Sequence, residues 1–432
     1  MTYTPTDVIE VSAWDRLVGA VALDPATGVY AFEYDDAWID TGADLAPLYL
    51  PRRRGAFVFP ELNRRTFYGL PGLLADALPD RFGNALVDAW MAEQGIDARQ
   101  VTALDRLAYA SNRAMGALTF RPPSGPSTSK VSMVQLADLV TAARAQLAGT
   151  LVGEDIHRSL ASLITVGSTA GGARAKAVIA YNPATGQILS GQLNAPDGYE
   201  QWLVKLDGVD DPAGQADPLV TTQQYCRVEF AYYLMARSAG VTMSESLLLP
   251  EGPRMHFMTR RFDRGPEAQR HHVQTLCGLA HLDYNASHAH SYSSYFLTAA
   301  SLGLGSVARE QMFRRVVFNV MGANRDDHAK NVSFLLRERG SWELAPAYDV
   351  THSNWGDAWT SAHQMGVNGH FADITLDDLR ALALQHDVAN VEGVFVDVAD
   401  AMARWPEFAE LAQVDEPTTF RVANDLLECR PR

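Results

Sequence analysis

The apolar residues of this chain change their spacing along its length, and this change limits the folds that the chain can adopt. Over residues 7–60, apolar and polar residues alternate in short bursts such as VIEV and VYAFEY, which Asp, Pro and Gly separate. A period of two residues is typical of short antiparallel strands. From 70 to 107 the spacing becomes helical, with Leu74, Leu78 and Leu86 on one face. The first part of the chain is therefore predicted to be a strand-rich unit followed by helices.

The rest of the chain continues this succession of strands and helices after a break. The segment 122–130, PPSGPSTSK, has the composition of a linker and predicts a domain boundary. A helix is predicted over 133–147, and strands are predicted over 160–166, 175–181 and 202–206. Long helices are predicted over 223–239, 292–302, 309–322 and most of 376–428. This order favours an α/β (α+β) protein with three units, which cover 1–125, 131–259 and 260–432.

Composition and charge are those of a globular protein without general affinity for nucleic acid. Apolar residues make up 47% of the 432 residues and charged residues 20%, and the formal net charge is −15. The three cysteines, Cys226, Cys277 and Cys429, lie far apart, which favours reduced thiols over a disulfide framework or a zinc site. No signal peptide and no apolar run of ~18 residues are visible. We therefore expect a soluble cytoplasmic protein.

The segment 324–335, NRDDHAKNVSFL, carries the most specific chemical signal in the chain. Asp326 stands five positions before Asn331, and Asp349 follows eighteen positions later in the string APAYD. Phosphoryl transfer needs a carboxylate that accepts the hydroxyl proton, and it needs hard oxygen ligands that hold magnesium on a nucleotide. We therefore predict that Asp326 is the base and that Asn331 and Asp349 are the metal ligands.

The other residues of this segment have secondary roles in this interpretation. His328 and Lys330 orient the loop or contact phosphate, and Asp327 points elsewhere if its neighbour points into the cleft. An alternative interpretation is a helix that ends at Gly322 and a polar turn whose Asp and Asn residues cap it. That alternative does not account for a second carboxylate at the end of another apolar segment.

A glycine-rich loop, GSTAGGARAK, lies between two predicted strands at 167–176. Consecutive small residues expose backbone amides, which can surround phosphate oxygens without obstruction from side chains. The loop has neither the GxxxxGK[ST] pattern of a Walker A loop nor the GxGxxG spacing of dinucleotide sites. Because an ordinary hairpin is the more common structure for such a loop, the loop alone does not establish a phosphate site.

The functional interpretation of two further segments depends on their position before the predicted catalytic residues. Lys205 lies among apolar residues in the predicted strand QWLVKL. Such a lysine is more often exposed at a sheet edge, but ahead of an Asp/Asn/Asp set it favours a phosphate-binding role. The segment 258–264, MTRRFDR, connects the strand-rich part to the helical part, where an adenine ring would lie against backbone groups. A basic surface turn is an equally good interpretation of that connector.

In this order, the motifs resemble those of the HipA family of serine/threonine kinases, the toxins of bacterial toxin–antitoxin pairs. The resemblance covers nearly the whole chain. Its motifs are FEYDDAW at 32–38, LLADALPD at 73–80, MGAL at 115–118, STAGG at 168–172, VKL at 204–206, RFDR at 261–264, the block at 326–331 and YD at 348–349. It implies a HipA-like two-lobed kinase fold. The N-terminal HipA-type subdomain would be followed by an ATP-binding lobe and a mostly helical lobe with the catalytic loop.

The resemblance also implies roles for individual residues. Asp326 would be the catalytic base, Asn331 and Asp349 would hold magnesium, and Lys205 would contact ATP phosphate. Ser168 matches the autophosphorylated serine of the family, and a phosphate there would compete by charge with the phosphates of ATP. The other implied ATP-binding positions are Ala170, Gly171, Gly172, Ala173, Arg174 and Ala175 in the loop, the backbone of Arg260, Arg261 and Phe262 in the connector, and His328, Lys330 and Tyr348. Arg260 departs from the family pattern, which has an acidic residue there.

Cofactors and partners follow from the same resemblance. It implies ATP and Mg²⁺ as cofactors and a small helix-turn-helix antitoxin, similar to HipB, as the partner that contacts DNA. Family members phosphorylate aminoacyl-tRNA synthetases, which slows translation and favours persistence. Two alternatives would use the same fold: a catalytically silent antitoxin partner and co-repressor, and a kinase with a small-molecule acceptor. The intact Lys205, Asp326, Asn331 and Asp349 argue against the silent form.

Overall fold

A computed structural model of the chain describes residues 3–125, 133–147, 163, 175–191, 194–209, 224–354, 356 and 358–432. The structure is mixed α/β, as predicted. One five-stranded sheet lies in the N-terminal part and a second lies in the middle part, and helices dominate the C-terminal part. Among the described residues, no helix is long and apolar enough to cross a membrane.

The N-terminal sheet has five antiparallel strands in the order β4-β3-β2-β1-β5. The strands are β1 (Val8–Ala13), β2 (Arg16–Asp24), β3 (Val29–Tyr34), β4 (Phe57–Val58) and β5 (Leu118–Arg121). In β1, the buried residues Ile9, Val11 and Ala13 alternate with more exposed neighbours. One face of the sheet therefore carries its apolar side chains into the core. The alternation in the sequence predicted these strands correctly.

The helical stretch predicted over 70–107 is divided in the structure. The helices of the N-terminal part are α1 (Asp36–Thr41), α2 (Arg64–Phe67), α3 (Gly72–Ala75), α4 (Arg81–Glu93) and α5 (Ala103–Ala110). Pro79 stands between α3 and α4, and Asp80 caps α4 by accepting a hydrogen bond from the amide of Gly83 at 2.7 Å. Gly95 follows the end of α4 with a φ of 76°, a conformation that glycine adopts without steric cost. Local turn chemistry thus interrupts the helical periodicity.

The second sheet is also antiparallel, with the order β7-β6-β8-β10-β9. Its strands are β6 (Lys176–Tyr181), β7 (Ile188–Ser190), β8 (Glu200–Lys205), β9 (Ser246–Glu251) and β10 (Arg254–Arg260). The strands predicted over 175–181 and 202–206 are confirmed. The strand predicted over 160–166 is wrong at Leu163, its one described residue, which is helical. Helices α6 (Leu136–Leu147) and α7 (Tyr225–Ser238) lie close to their predicted ranges.

The C-terminal part is mainly helical, as predicted. Its helices are α8 (Leu276–Ala280), α9 (Tyr292–Ser301), α10 (Ser306–Met321), α11 (Leu376–Gln385), α12 (Val391–Ala403), α13 (Trp405–Leu411) and α14 (Glu416–Glu428). A small antiparallel sheet consists of β11 (His272–Thr275), β13 (Ser333–Leu336) and β14 (Trp342–Leu344), in this order. The short strands β12 (His290–Ser291) and β15 (Met365–Gly366) pair in parallel. The small sheet holds the segment that follows the predicted catalytic loop.

Two apolar cores connect the parts of the chain. The larger core contains residues of the N-terminal sheet, such as Ile9, together with residues of the helical part, such as Phe313. The second core joins Phe82 and Leu86 of α4 to Trp202 of the second sheet. Residues before the predicted linker therefore pack against residues after it. The boundaries at 125, 131 and 260 stay a prediction.

Candidate active site

The predicted catalytic loop connects α10 to β13. Helix α10 ends at Met321, and a turn of 3₁₀ helix over Ala329–Asn331 leads into the strand. Within the loop, the side-chain amide of Asn331 donates a hydrogen bond to the backbone carbonyl of Asp326 at 2.9 Å. This bond closes the loop across five residues and holds the predicted base near the predicted metal ligand.

The carboxyl group of Asp326 is partly exposed to solvent. Its Oδ1 accepts a hydrogen bond from Nε1 of Trp359 at 2.7 Å, and Nε2 of His328 lies 3.6 Å from the same oxygen. Although 43% of the side chain is exposed, the protein atoms around the carboxyl remove much of its hydration. This burial raises the pKa of Asp326, against the lowering effect of His328 and Trp359. Asp326 therefore combines a partly exposed carboxyl group with a raised pKa.

The neighbouring Asp327 has a different environment. Its carboxylate is fully buried and accepts hydrogen bonds from the hydroxyl of Tyr292 at 2.6 Å and the amide of Gln364 at 2.7 Å, and it lies 2.8 Å from Nδ1 of His363. Burial alone would raise the pKa of Asp327, but His363 and these hydrogen bonds lower it overall. The structure therefore assigns Asp327 to the packing of the helical part, whereas the side chain of Asp326 stays partly exposed.

Lys205, at the end of β8, lies between two carboxylates. Its Nζ lies 2.5 Å from Oε1 of Glu229 on α7, and it also donates to Oδ1 of Asp349. The lysine is buried, with 7% of the residue exposed. Burial alone would lower its pKa, but the charges of Asp349 and Glu229 raise it overall. Lys205 is thus held in the charged form between the second sheet and the segment that carries Asp349.

Asp349 is the predicted second metal ligand, and it has a left-handed backbone with a φ of 55°. This conformation is uncommon for a residue with a side chain and costs energy that the surrounding structure must supply. Burial alone would raise the pKa of Asp349, but the charges of Lys205 and Lys176 hold it well below its usual range. Lys176 lies directly opposite Lys205 in the register of β6 and β8. Asp349 is therefore an ionised carboxylate that two lysines approach.

His328, Lys330 and Tyr348 line the loop in different ways. The ring of His328 contacts the rings of Tyr284 and Trp359. Nζ of Lys330 lies 5.0 Å from the centre of the Tyr284 ring. Burial alone would lower the pKa of Lys330, but Tyr284 and Asp76 raise it. The hydroxyl of Tyr348 donates to the carbonyl of Lys330 at 2.8 Å. Tyr348 therefore supports the catalytic loop directly, whereas Lys330 faces Tyr284 of the C-terminal part and the charge of Asp76 in the N-terminal part.

Two backbone amides of the connector at the end of β10 donate to neighbouring segments, and the adenine contacts of 260–262 stay a prediction. The amide of Arg260 donates to the carbonyl of Glu245 at 2.8 Å, and the amide of Arg261 donates to the carbonyl of Gln201 at 2.9 Å. The guanidinium of Arg261 makes two hydrogen bonds to Asp263, at 2.9 and 2.7 Å. Among the three amides of the predicted segment, that of Phe262 is the one without such a role in these contacts.

Most of the predicted phosphate loop lies outside the described residues. This holds for Ser168, Ala170, Gly171, Gly172, Ala173 and Arg174. Ala175 is described, is fully buried and accepts a hydrogen bond from the amide of Leu206 through its carbonyl at 3.1 Å. This bond places the end of the loop beside the strand that carries Lys205.

Two of the predicted site residues offer oxygen donors that suit magnesium. Asn331 and Asp349 line the same small cavity as Tyr348 and Asp327. The ionised carboxylate of Asp349 and the amide oxygen of Asn331 are hard oxygen donors, and Mg²⁺ in kinases is held by such groups together with substrate phosphates and water. Asn331 and Asp349 would hold the metal, and Lys205 and Lys176 would balance the charge of phosphate groups.

Two residues that complete this site were not predicted. Glu229 lies in an apolar stripe of α7, three positions after the buried Cys226 and four before the buried Tyr233. A glutamate among the apolar positions of a helix could have predicted this role, because a buried carboxylate needs a cation as its partner. Trp359 gave no comparable signal, since it lies 33 positions from Asp326 in an irregular segment.

Comparison with models of known protein families shows the family of this chain. The model of the HipA N-terminal domain matches residues 9–121, and the model of the HipA-like C-terminal domain matches residues 168–405. The chain belongs to the HipA family. The second match contains every predicted site residue, from Ser168 to Asp349.

Solved structures and curated proteins add to this relationship. HipA from Shewanella oneidensis MR-1, solved as a toxin–antitoxin complex with HipB and operator DNA, superposes with a TM-score of 0.67 at 16% identity. The match covers 98% of this chain and 96% of that chain, and at this identity it shows a HipA-like fold. A Sinorhizobium fredii protein named as a candidate kinase, Y4dM, is 26% identical over an alignment of 247 residues, and the match covers 52% of this chain and 55% of that protein. The chain thus matches about half the length of this relative.

Proposed function

We propose that the chain is an ATP- and magnesium-dependent serine/threonine protein kinase, the toxin of a HipBA-type toxin–antitoxin pair. The contact between Lys205 and Glu229 carries this proposal. Protein kinases need a strand lysine paired with a helix glutamate together with an Asp that binds magnesium. Here the lysine of β8 contacts both the glutamate of α7 and Asp349, and Asp326 lies near enough to Asp349 for the charge of Asp349 to raise its pKa. A chain without catalytic function would not need this complete set.

Each residue has a distinct role in the proposed reaction. Bound magnesium–ATP would supply the phosphoryl group. Asp326 would accept the proton of the attacking hydroxyl, and its raised pKa makes it a stronger base than an ordinary Asp. Trp359 orients the carboxyl through its hydrogen bond to Oδ1. Lys205 would balance phosphate charge, and Glu229 fixes its position.

The partner and substrates of this proposal come from the family. We infer a HipB-like helix-turn-helix antitoxin as partner, because the Shewanella HipA was solved with HipB and operator DNA. The formal net charge of −15 is consistent with a chain that reaches DNA through such a partner. The proposed protein substrates are an aminoacyl-tRNA synthetase and the chain itself at Ser168, in the cytoplasm.

Phosphate transfer by the purified protein tests this function. The wild type, incubated with radiolabelled ATP and Mg²⁺, is expected to incorporate phosphate, and mass spectrometry is expected to find it on Ser168. Asp326→Asn is expected to abolish incorporation. Asp377→Asn is a matched control, because the Asp377 side chain is 92% exposed on α11.

The possible outcomes separate the proposed function from its alternatives. Incorporation that persists in Asp326→Asn would overturn the assignment of the base. A wild type that binds the antitoxin but incorporates no phosphate would support the silent co-repressor. A phosphoproteome recorded after induction of the protein would separate a protein substrate from a small-molecule acceptor.

A further inference from the structure

The catalytic loop and the segment after Asp349 meet directly. The amide of Ser353 donates to the carbonyl of Ala323 at 3.0 Å, and the two segments form a parallel bridge there. The guanidinium of Arg325 donates to the side chain of Asn354 at 2.8 Å. The predicted base and the predicted metal ligand therefore depend on one shared junction for their relative position.

The C-terminal helix α14 contacts both sides of this junction. Oδ2 of Asp425 lies 2.8 Å from Nε2 of His352, three positions after the predicted metal ligand. One turn further along the helix, Sγ of Cys429 lies 3.5 Å from Nη2 of Arg325, the residue before the predicted base. Two polar side chains near the C-terminal end of α14 thus reach the two segments that form the site.

His352 has little freedom to move. Its side chain is fully buried, and its ring packs against the ring of Tyr232 with the centroids 6.3 Å apart. A carboxylate that binds one ring nitrogen fixes the rotation of an imidazole, as second-sphere carboxylates do for histidines in metal sites. Asp425 can therefore set the orientation of His352 and, through the backbone, the position of the segment that begins at Asp349.

A cap, buried side chains and a hydrogen bond from Trp405 hold helix α14 against the helical part. Asp415 caps it by accepting a hydrogen bond from the amide of Thr418 at 2.9 Å, and Val422 and Leu426 are buried. Nε1 of Trp405 donates to the carbonyl of Thr419 at 3.0 Å. The helix also lies beyond residue 405, where the match to the HipA-like C-terminal domain ends. It is a rigid support for the site from outside the matched domain.

We propose that Asp425 is a positioning residue: through His352 it fixes the segment that carries Asp349, while Cys429 adds one contact to Arg325 on the catalytic side. The effect on catalysis rests on the proposed kinase function, whereas the effect on the two loops does not. Asp425 touches neither substrate nor cofactor in this proposal. Its contribution is to hold the base and the metal ligand in register.

Hydrogen exchange and kinetics of three variants test this proposal. Asp425→Ala removes the acceptor, Asp425→Asn keeps an oxygen that can accept from His352, and Glu428→Ala alters an exposed residue of the same helix. In Asp425→Ala without nucleotide, amides in 323–331 and 348–354 are expected to exchange about tenfold faster, the factor that corresponds to one hydrogen bond. Asp425→Asn is expected to restore most of the protection, and Glu428→Ala is expected to match the wild type.

The kinetics of the variants can be interpreted only if the wild type transfers phosphate. There, kcat of Asp425→Ala is expected to fall about tenfold while KM for ATP changes less than about twofold, because positioning acts on the transition state. Unchanged exchange in both loops would overturn the proposal, as would faster exchange spread evenly over the helical part. An active wild type with an unaltered kcat in Asp425→Ala would also overturn it. If the wild type transfers no phosphate, the proposed function fails, and the exchange measurement alone decides the positioning role.

Discussion

Nε2 of His281 accepts a hydrogen bond from the amide of Gly72 at 3.1 Å, and this bond joins α8 of the C-terminal part to α3 of the N-terminal part. The ring also stacks on Tyr49 with the centroids 4.2 Å apart. Because Nε2 is the acceptor, the ring must be neutral there. Burial lowers the pKa of His281 to about 4, from an ordinary value of about 6.5.

This pKa predicts a loss of stability in mild acid. Below about pH 6.5 the unfolded state binds a proton at this histidine, whereas the folded state stays neutral down to about pH 4. The contribution of the neutral His281 ring to the free energy of unfolding is fully present above pH 6.5. It is lost as the pH falls towards 4. Replacing His281 with Asn, which tolerates the left-handed backbone at this position, should reduce the slope of the unfolding free energy by about 1.4 kcal/mol per pH unit.

Urea denaturation between pH 7 and 4.5 measures this slope. His288→Asn is the matched control, because His288 is exposed and has the same left-handed backbone, with a φ of 58°. If His281→Asn and His288→Asn both keep the slope of the wild type, the neutral buried ring is not a source of acid sensitivity.

The same junction predicts intolerance of side chains at Gly278. A Cβ atom at this position would collide with the carboxyl group of Asp76, which accepts hydrogen bonds from the amide and the hydroxyl of Thr275 at 2.7 and 2.8 Å. Alanine favours a helix by about 1 kcal/mol relative to glycine, but overpacking costs about 1–3 kcal/mol and these hydrogen bonds would also be disturbed. We therefore expect Gly278→Ala to lower the free energy of unfolding. Gly305→Ala is the control, because a Cβ atom there meets open space, and as an exchange at the N-cap of α10 it should cost at most about 1 kcal/mol.

Features that are local in the sequence were predictable here. The strands of the N-terminal sheet follow from alternation, since each side chain of β1 takes its face from its own position. The prediction of Asp326 and not Asp327 as the base also used local information only, because consecutive side chains in a loop point in different directions. The structure bears out this difference in environment, while the catalytic role of Asp326 stays a prediction.

Features that depend on distant contacts were not predictable. Glu229 pairs with Lys205 across 24 positions because α7 packs on the second sheet, and a single sequence does not reveal that packing. The motif RFDR was interpreted as a connector for adenine. The adenine contacts of the backbone at 260–262 stay a prediction, but the side chains of Arg261, Asp263 and Arg264 form a buried ion cluster, and Arg264 donates to the carbonyl of Gly116 at 3.1 Å. The charge of that motif was visible, but its partners were not.

This ion cluster predicts a large loss of stability in Asp263→Asn. Asp263 is fully buried, faces Arg261 and Arg264, and accepts from the amide of Gly116 at 2.7 Å. Burial alone would raise its pKa, but the two arginines hold it well below the usual range. Removing one partner of a buried ion pair leaves the other charge uncompensated and costs about 3–5 kcal/mol.

Urea denaturation at pH 7 measures that loss. Asp377→Asn changes an exposed aspartate, 92% accessible, and should stay within about 0.5 kcal/mol of the wild type. A loss of less than about 1 kcal/mol in Asp263→Asn would mean that carbonyl groups alone suffice to hold the arginines.

The contact between Lys205 and Glu229 predicts a loss of activity in Glu229→Gln. The amide keeps the shape of the glutamate but not its charge, so Asp349 becomes the dominant anionic partner of Lys205. The lysine would then compete more strongly with magnesium for Asp349. Loss of a charged hydrogen bond of about 1.5–3 kcal/mol corresponds to a fall of about ten- to a hundredfold in kcat/KM. Glu392→Gln on α12, where 68% of the side chain is exposed, should keep the activity of the wild type. Equal kcat/KM in Glu229→Gln and an active wild type would show that the lysine is positioned by Asp349 alone.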